Sequence, residues 1–335
     1  MRALVLDRPA TAAAGRTGPL RLTDVPDPTP APDEIVVRVT ACGVCRSDLQ
    51  IVEGDLPARR LPIVPGHQPV GRVAAVGGAV TGWSVGDRAG VGWFGGSCGT
   101  CRRCAAGREN LCDLAVFTGW DRDGGYAELI AIRADAALRI PADFADLDAA
   151  PLLCGGVIGY RALRVAGVEP GGRLGLYGFG ASALIAIQVA RHWGCEVHVA
   201  TRSARERERA LSLGAASVGG YDDPPPHPLD AAITFAPVGT VVVAALRAVD
   251  RGGTVAINAI HLDGIPAFDY DLLWWERSLR SVANYTRRDA EELLAIASEI
   301  PIRTEIERFP LDAANDALAR LAAGSIEGAA VLEIG

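Results

Sequence analysis

The 335-residue chain contains no lysine, so all 33 of its basic residues are arginine. That excludes Schiff-base catalysis, pyridoxal phosphate attachment and the lysine of phosphate-binding loops. An excess of positive charge is missing too. The net charge is -7, and the arginines are scattered or followed by acids, as in Arg205-Glu206-Arg207-Glu208-Arg209, so no nucleic-acid partner is expected. No apolar run approaches the ~20 residues that cross a bilayer. The start, Met1-Arg2-Ala3-Leu4-Val5-Leu6-Asp7, lacks the pattern of an export signal, so a soluble, cytoplasmic protein with no membrane partner is expected. In a reducing compartment the eight cysteines are expected to serve metal binding or catalysis rather than disulfides. Internal repeats are also lacking.

What is present fits a globular protein, with 49% hydrophobic and 22% charged residues. The length exceeds one typical core and suggests two domains. Residues 1–150 form a β-rich, loop-rich unit with strands expected at 20–25, 34–40, 71–76 and 126–132. The texture changes near Asp146, and helical spacing runs through 157–165. Across 151–286 strands at 173–177, 196–201, 230–235 and 254–258 alternate with helices at 181–192, 204–213 and 240–249. That alternation predicts a parallel sheet covered on both faces, hence an α/β fold. The tail, 287–335, carries helices at 288–299 and 311–323 around a strand at 303–309 and is expected to pack back on the first unit.

Chemistry concentrates first in Gly43-Val44-Cys45-Arg46-Ser47-Asp48, read as a loop following a half-buried strand. There a neighbouring arginine and backbone N–H groups would favour a thiolate. Alone, the segment fits a turn with a buried cysteine equally well. A second concentration is Cys98-Gly99-Thr100-Cys101-Arg102-Arg103-Cys104, with Cys112 beyond it, inside 95–113. Its two-residue gaps suit four thiolates on one structural zinc, the alternative being a pair of disulfides that would constrain little chain. His67 follows Pro65-Gly66, and Cys154 lies at the change of texture. Cys45, His67 and Cys154 would make a three-ligand zinc site with the fourth place open to substrate, although a lone histidine is commonly only hydrogen-bonded. Cys42 and Cys195 read as core.

The run Leu174-Gly175-Leu176-Tyr177 enters Gly178-Phe179-Gly180-Ala181-Ser182-Ala183 and then a helix, the context in which a glycine-rich turn seats a dinucleotide pyrophosphate. At the end of the next strand Thr201-Arg202-Ser203 offers a cation and two hydroxyls where an acid would select NAD. NADP is therefore favoured, unless Arg202 simply faces water.

Together these residues resemble the zinc-dependent alcohol dehydrogenases of the medium-chain dehydrogenase/reductase superfamily, over essentially the whole chain. The resemblance implies a GroES-like catalytic domain built from 1–150 and 287–335 and a Rossmann domain at 151–286. It implies two zinc ions per chain, with Cys45, His67 and Cys154 on the catalytic one and Cys98, Cys101, Cys104 and Cys112 on the structural one. Asp48 would orient His67, Ser47 would pass the substrate proton and Arg46 would meet the cofactor pyrophosphate. The Gly178–Ala183 turn with Phe179, Gly180, Ala181 and Ala183, and Asn258, Ala259 and Asn284 at strand ends, would contact the cofactor. Trp93, Phe94 and Trp120 match positions that line the substrate pocket, or else they are core. The expected reaction interconverts alcohols, primary or aromatic ones favoured, with aldehydes or ketones, in a homodimer or homotetramer. The alternatives are a polyol or secondary-alcohol dehydrogenase of the same superfamily and a non-catalytic dinucleotide and zinc protein. Two positions depart from the family pattern: Gln68 stands where many members carry Glu, and Gln50 where many carry His.

Overall fold

A computed structural model describes residues 1–13 and 18–335. The chain divides into two compact units, one made of Met1–Cys154, Thr286–Ser298 and Arg303–Gly335, the other of Gly155–Tyr285 and Glu299–Ile302.

The first unit is organised on the strand Glu34–Val44, whose pattern of apolar residues buries almost its whole length. At eleven residues it is long enough to take three partners. Pro69–Val76 pairs along one edge, and Leu129–Arg133 and Ala329–Glu333 share the other, all antiparallel. Through Ala329–Glu333 the end of the chain becomes part of the first unit's sheet. The expected strand ended at Thr40, with a loop beginning at Gly43. In the structure Gly43 stays in the strand, opposite Val331, and a Cβ there would lie 2.5 Å from Gln68 Oε1. The segment expected to be a loop is instead a strand-to-helix junction. The strand runs to Val44, Cys45 caps the helix Arg46–Glu53, and Gly54 closes that helix in the left-handed region at φ 90°. In the tail, the strand occupies Ile306–Pro310 rather than 303–309, and the expected helix at 311–323 starts with a tight turn at Leu311–Ala313 before Ala314–Ala322.

The second unit holds a six-stranded sheet, every neighbouring pair parallel. Its spatial order is Ser217–Gly219, Glu196–Ala200, Arg173–Tyr177, Leu229–Thr234, Val249–Ile257, Ser278–Ser281. Numbered along the chain this is 3-2-1-4-5-6, the doubly wound Rossmann order with its reversal beside the first strand. The helix Ala181–His192 occupies the expected bounds, while the short outer strands 217–219 and 278–281 carried no readable apolar pattern. Among the described residues no helix is long and apolar enough to cross a membrane.

Asp146 ties the first unit's sheet together. Its carboxylate accepts from the Thr40 hydroxyl at 2.6 Å and from Arg88 Nε at 3.1 Å. Burial pushes this carboxyl up, but Thr40 and Arg88 more than offset it and hold it below its ordinary value. A depressed carboxylate stabilises the fold above its unfolded pKa of about 3.9, and that contribution disappears as pH falls through the lower folded value. Asp146→Asn is therefore expected to lower stability by about 2 kcal/mol at neutral pH. In urea titrations the difference from the native chain should close as the pH drops into the acid range.

Candidate active site

The strand Glu34–Val44 and the helix after it deliver Cys45 to a fixed place. Asp48 is fully buried and uses both oxygens: Oδ2 accepts the Cys45 backbone N–H at 2.9 Å, and Oδ1 lies 2.9 Å from His67 Nδ1. The first contact is half of a capping box, Cys45-x-x-Asp48, with cysteine and aspartate in the places where serine or threonine and glutamate or glutamine ordinarily signal a helix start. The second places the ring proton on Nδ1 and turns the Nε2 lone pair away from the carboxylate. Nε2 then faces two sulfurs, Cys45 Sγ at 3.3 Å and Cys154 Sγ at 3.4 Å, which are 3.8 Å from each other.

These separations are those of a tetrahedral metal site. Zinc bonds of about 2.3 Å to sulfur and 2.0 Å to nitrogen imply S···S edges of about 3.8 Å and S···N edges of about 3.5 Å. The Cys45 thiol is pushed well above its ordinary value by its hydrogen bond with Cys154, by burial and by the Cys154 charge, so Arg46 and the helix N–H groups alone do not make it a thiolate as the sequence suggested. Burial pushes the His67 ring down, but Asp48 and Cys45 outweigh it and hold the ring well above its usual value. A buried cation among the three would replace those protons.

Cys98, Cys101, Cys104 and Cys112 form a second cluster, with Sγ separations of 3.5 to 3.9 Å. A disulfide needs about 2.05 Å, so the paired-disulfide alternative does not describe the lobe, and all eight cysteines are free. Backbone N–H groups of Thr100 and Cys101 pull the Cys98 thiol down to about 6, which favours a metal-ready thiolate. Cys42 is fully buried in its strand, and Cys195 is buried with its thiol toward the Glu169 carbonyl at 3.6 Å.

The first unit's aromatic residues divide. Trp93 meets His67 edge-on, ring centroids 4.9 Å apart, and stacks on Phe117 and Trp120. Phe94 is buried, as the core alternative for it expected. Phe117 was missed because no motif marks it. Gln68 is buried against Gly43, and Gln50 lies on the helix Arg46–Glu53 with Oε1 buried and unpartnered among the described residues.

In the second unit Gly178 turns the chain at φ 93°, where a Cβ would come within 2.9 Å of the Ala236 nitrogen, and Phe179 is buried. Gly180 starts the helix Ala181–His192, with open space where its Cβ would stand. At the end of the next strand Arg202 is exposed, but the hydroxyls beside it are engaged. Thr201 donates to Glu206, and Ser203 caps the helix Ala204–Ser212 by accepting from the Glu206 N–H at 3.3 Å. Asn258 follows the fifth strand and donates its N–H to Thr234 at 2.9 Å, with Ala259 next to it. Asn284 sits beyond the sixth strand at φ 62°.

Two family models match: an alcohol dehydrogenase GroES-like domain over residues 31–142 and a zinc-binding dehydrogenase over 181–299. The "Probable alcohol dehydrogenase AdhA" of Mycobacterium tuberculosis is 51% identical over 324 residues, covering 95% of this chain and 94% of its own. The chain belongs to the zinc-type medium-chain alcohol dehydrogenases. Among solved structures, a cinnamyl alcohol dehydrogenase from Sorghum bicolor superposes with a TM-score of 0.87 at 27% identity, over 99% of this chain and 97% of that one. A cobalt- and zinc-bound thermostable alcohol dehydrogenase from Pyrobaculum aerophilum does so with a TM-score of 0.87 at 26% identity, over 99% of each. The architecture of a GroES-like domain with a Rossmann domain, the oxidoreductase chemistry of alcohols and aldehydes, and the use of zinc with a nicotinamide cofactor follow from that membership.

In this alcohol dehydrogenase the Asp48–His67 contact is the support on which the trio's geometry rests. Outer partners of metal-bound histidines typically contribute 10- to 100-fold in metal affinity. Asp48→Asn should therefore retain the Cys98–Cys112 metal on dialysis against a chelator while losing the trio's metal about tenfold more readily, as read by zinc content over time.

Proposed function

We propose that the chain oxidises primary or aromatic alcohols to aldehydes, and runs the reverse reduction, with NADP favoured over NAD. The observation that carries this reading is the convergence of Cys45 Sγ, His67 Nε2 and Cys154 Sγ around one point, with Asp48 behind the imidazole. Zinc held by that trio would supply the Lewis acidity that lowers an alcohol pKa toward neutrality, and the nicotinamide would supply the hydride acceptor. The chain's own groups provide the remainder. Ser47, two residues after Cys45 on the first turn of the helix and 8% exposed, would carry the substrate proton outward through its hydroxyl. Arg46 opens the same helix as an exposed cation for the cofactor pyrophosphate. In the Rossmann unit Gly178, Gly180, Ala181 and Ala183 leave backbone N–H groups at a helix start for that pyrophosphate. Asn258, Ala259 and Asn284 serve the nicotinamide half.

Selection of the 2'-phosphate rests on Arg202, with the Ser203 O–H still able to donate beside it, because Thr201 gives its hydroxyl proton to Glu206 while Ser203 only accepts there. The Cys98, Cys101, Cys104 and Cys112 lobe holds a second, structural zinc, two per chain in all. The protein works in the cytoplasm as a homodimer or homotetramer. Assembly is supported by Ser278–Ser281, which ends the parallel sheet, and by exposed Tyr270, Trp274 and Trp275 shortly before it in the chain.

Initial rates with short, branched and benzylic alcohols, taken with NAD and NADP separately, test the reading. Arg202→Ala is expected to raise the KM for NADP about tenfold and leave that for NAD within about twofold. A native preference for NAD, with no effect of Arg202→Ala on NADP, contradicts the cofactor assignment.

A further inference from the structure

The helix that Cys45 caps does not end its influence at Gly54. The chain continues through Pro57 and Arg59 and reaches the aromatic wall beside His67. Trp120 donates its indole N–H to the Pro57 carbonyl at 2.9 Å. The Arg59 guanidinium lies 3.9 Å from the Trp120 ring centroid and 5.8 Å from that of Phe117. Its Nη1 donates to Asp121 Oδ1 at 2.9 Å, while Asp121 Oδ2 accepts the Phe117 N–H at 2.8 Å. Trp93 is stacked on both Phe117 and Trp120 and touches His67 with its edge. Arg59 therefore closes a circuit: one face holds Trp120 and Phe117, one nitrogen holds the turn that carries them, and the wall it braces ends on the imidazole of the trio.

The geometry points to Arg59 as a positioning residue that makes the enzyme prefer flat, unsaturated alcohols by holding Trp120, and through it Trp93, at a fixed tilt. This rests on the reading that the alcohol binds at the Cys45, His67 and Cys154 trio, beside Trp93. A planar substrate gains by stacking on an aromatic surface only if that surface is held still, because ordering a free indole costs conformational entropy. A small aliphatic alcohol has no ring to stack on Trp93 and is less sensitive to its tilt. Arg59 is half exposed and its partner Asp121 is 16% exposed, so the brace is modest and gives an effect of about fivefold.

The experiment compares native protein, Arg59→Ala and Arg59→Lys with ethanol and benzyl alcohol. Alongside turnover it measures zinc content, thermal midpoint and the benzyl alcohol Kd from quenching of tryptophan fluorescence. Arg59→Ala is expected to raise the KM and the Kd for benzyl alcohol about fivefold while leaving its kcat and both ethanol constants within about twofold. Zinc content and thermal midpoint should match those of the native protein. Arg59→Lys keeps a cation but not the planar stack, and should fall between the two. Equal changes for both alcohols, or none for either, overturn the assignment. If the native protein oxidises neither alcohol yet Arg59→Ala still weakens benzyl alcohol binding, the proposed reaction fails and the role of Arg59 stands.

Discussion

One buried carboxylate does two jobs at the centre of this molecule. Asp48 begins a helix by accepting the Cys45 N–H and aims an imidazole by bonding His67 Nδ1, and it is wholly shielded from solvent while doing so. A carboxylate in that position is tolerable only because both oxygens are matched. The two contacts couple backbone to site, because the atom that sets where the helix starts also sets where Nε2 points. Neutralising Asp48 would disturb the cap and the imidazole together.

The two cysteine-containing clusters obtain their geometry by opposite routes. In the lobe, sulfurs 3 to 14 residues apart are gathered by short turns, and backbone N–H groups of the same turns favour the Cys98 thiolate. In the trio, the separations along the chain are 22, 87 and 109 residues. No local preference can assemble such a site, so the sheet must do it, through the long strand that ends at Cys45. The first cluster depends on spacing and the second on the fold, and the Asp48 contact settles which nitrogen of His67 faces the two sulfurs.

The same distinction explains what could be read in advance. The glycine-rich turn, the helix Ala181–His192 and the four-cysteine spacing are local patterns, and each was legible because a short stretch carries the whole reason for it. The alternation of strands and helices gave the parallel sheet, but Ser217–Gly219 and Ser278–Ser281 escaped, being too short and too polar to show a period. Gly43 misled as the expected start of a loop, whereas the strand runs on through it, close against Gln68. Thr201 and Ser203 read as phosphate ligands, and the structure shows a local use for each that the sequence did not announce: Thr201 donates to Glu206 and Ser203 caps the next helix by accepting the Glu206 N–H. Cys45, His67 and Cys154 were grouped by chemistry and resemblance, and only coordinates could show Asp48 joined to both the cap and the ring. Arg59 and Phe117 were invisible, because nothing in their neighbourhoods along the chain announces a partner more than fifty residues away.

The central claim is that three dispersed groups, not only the compact lobe, are arranged to hold an ion. X-ray absorption at the zinc edge of the purified, unstripped protein reads this directly. Two filled sites, one of four sulfurs and one of two sulfurs with an imidazole and an oxygen, give a mean shell of about three sulfurs and one lighter atom, with the outer scattering of a histidine ring. A pure four-sulfur shell with no imidazole signature would contradict the account.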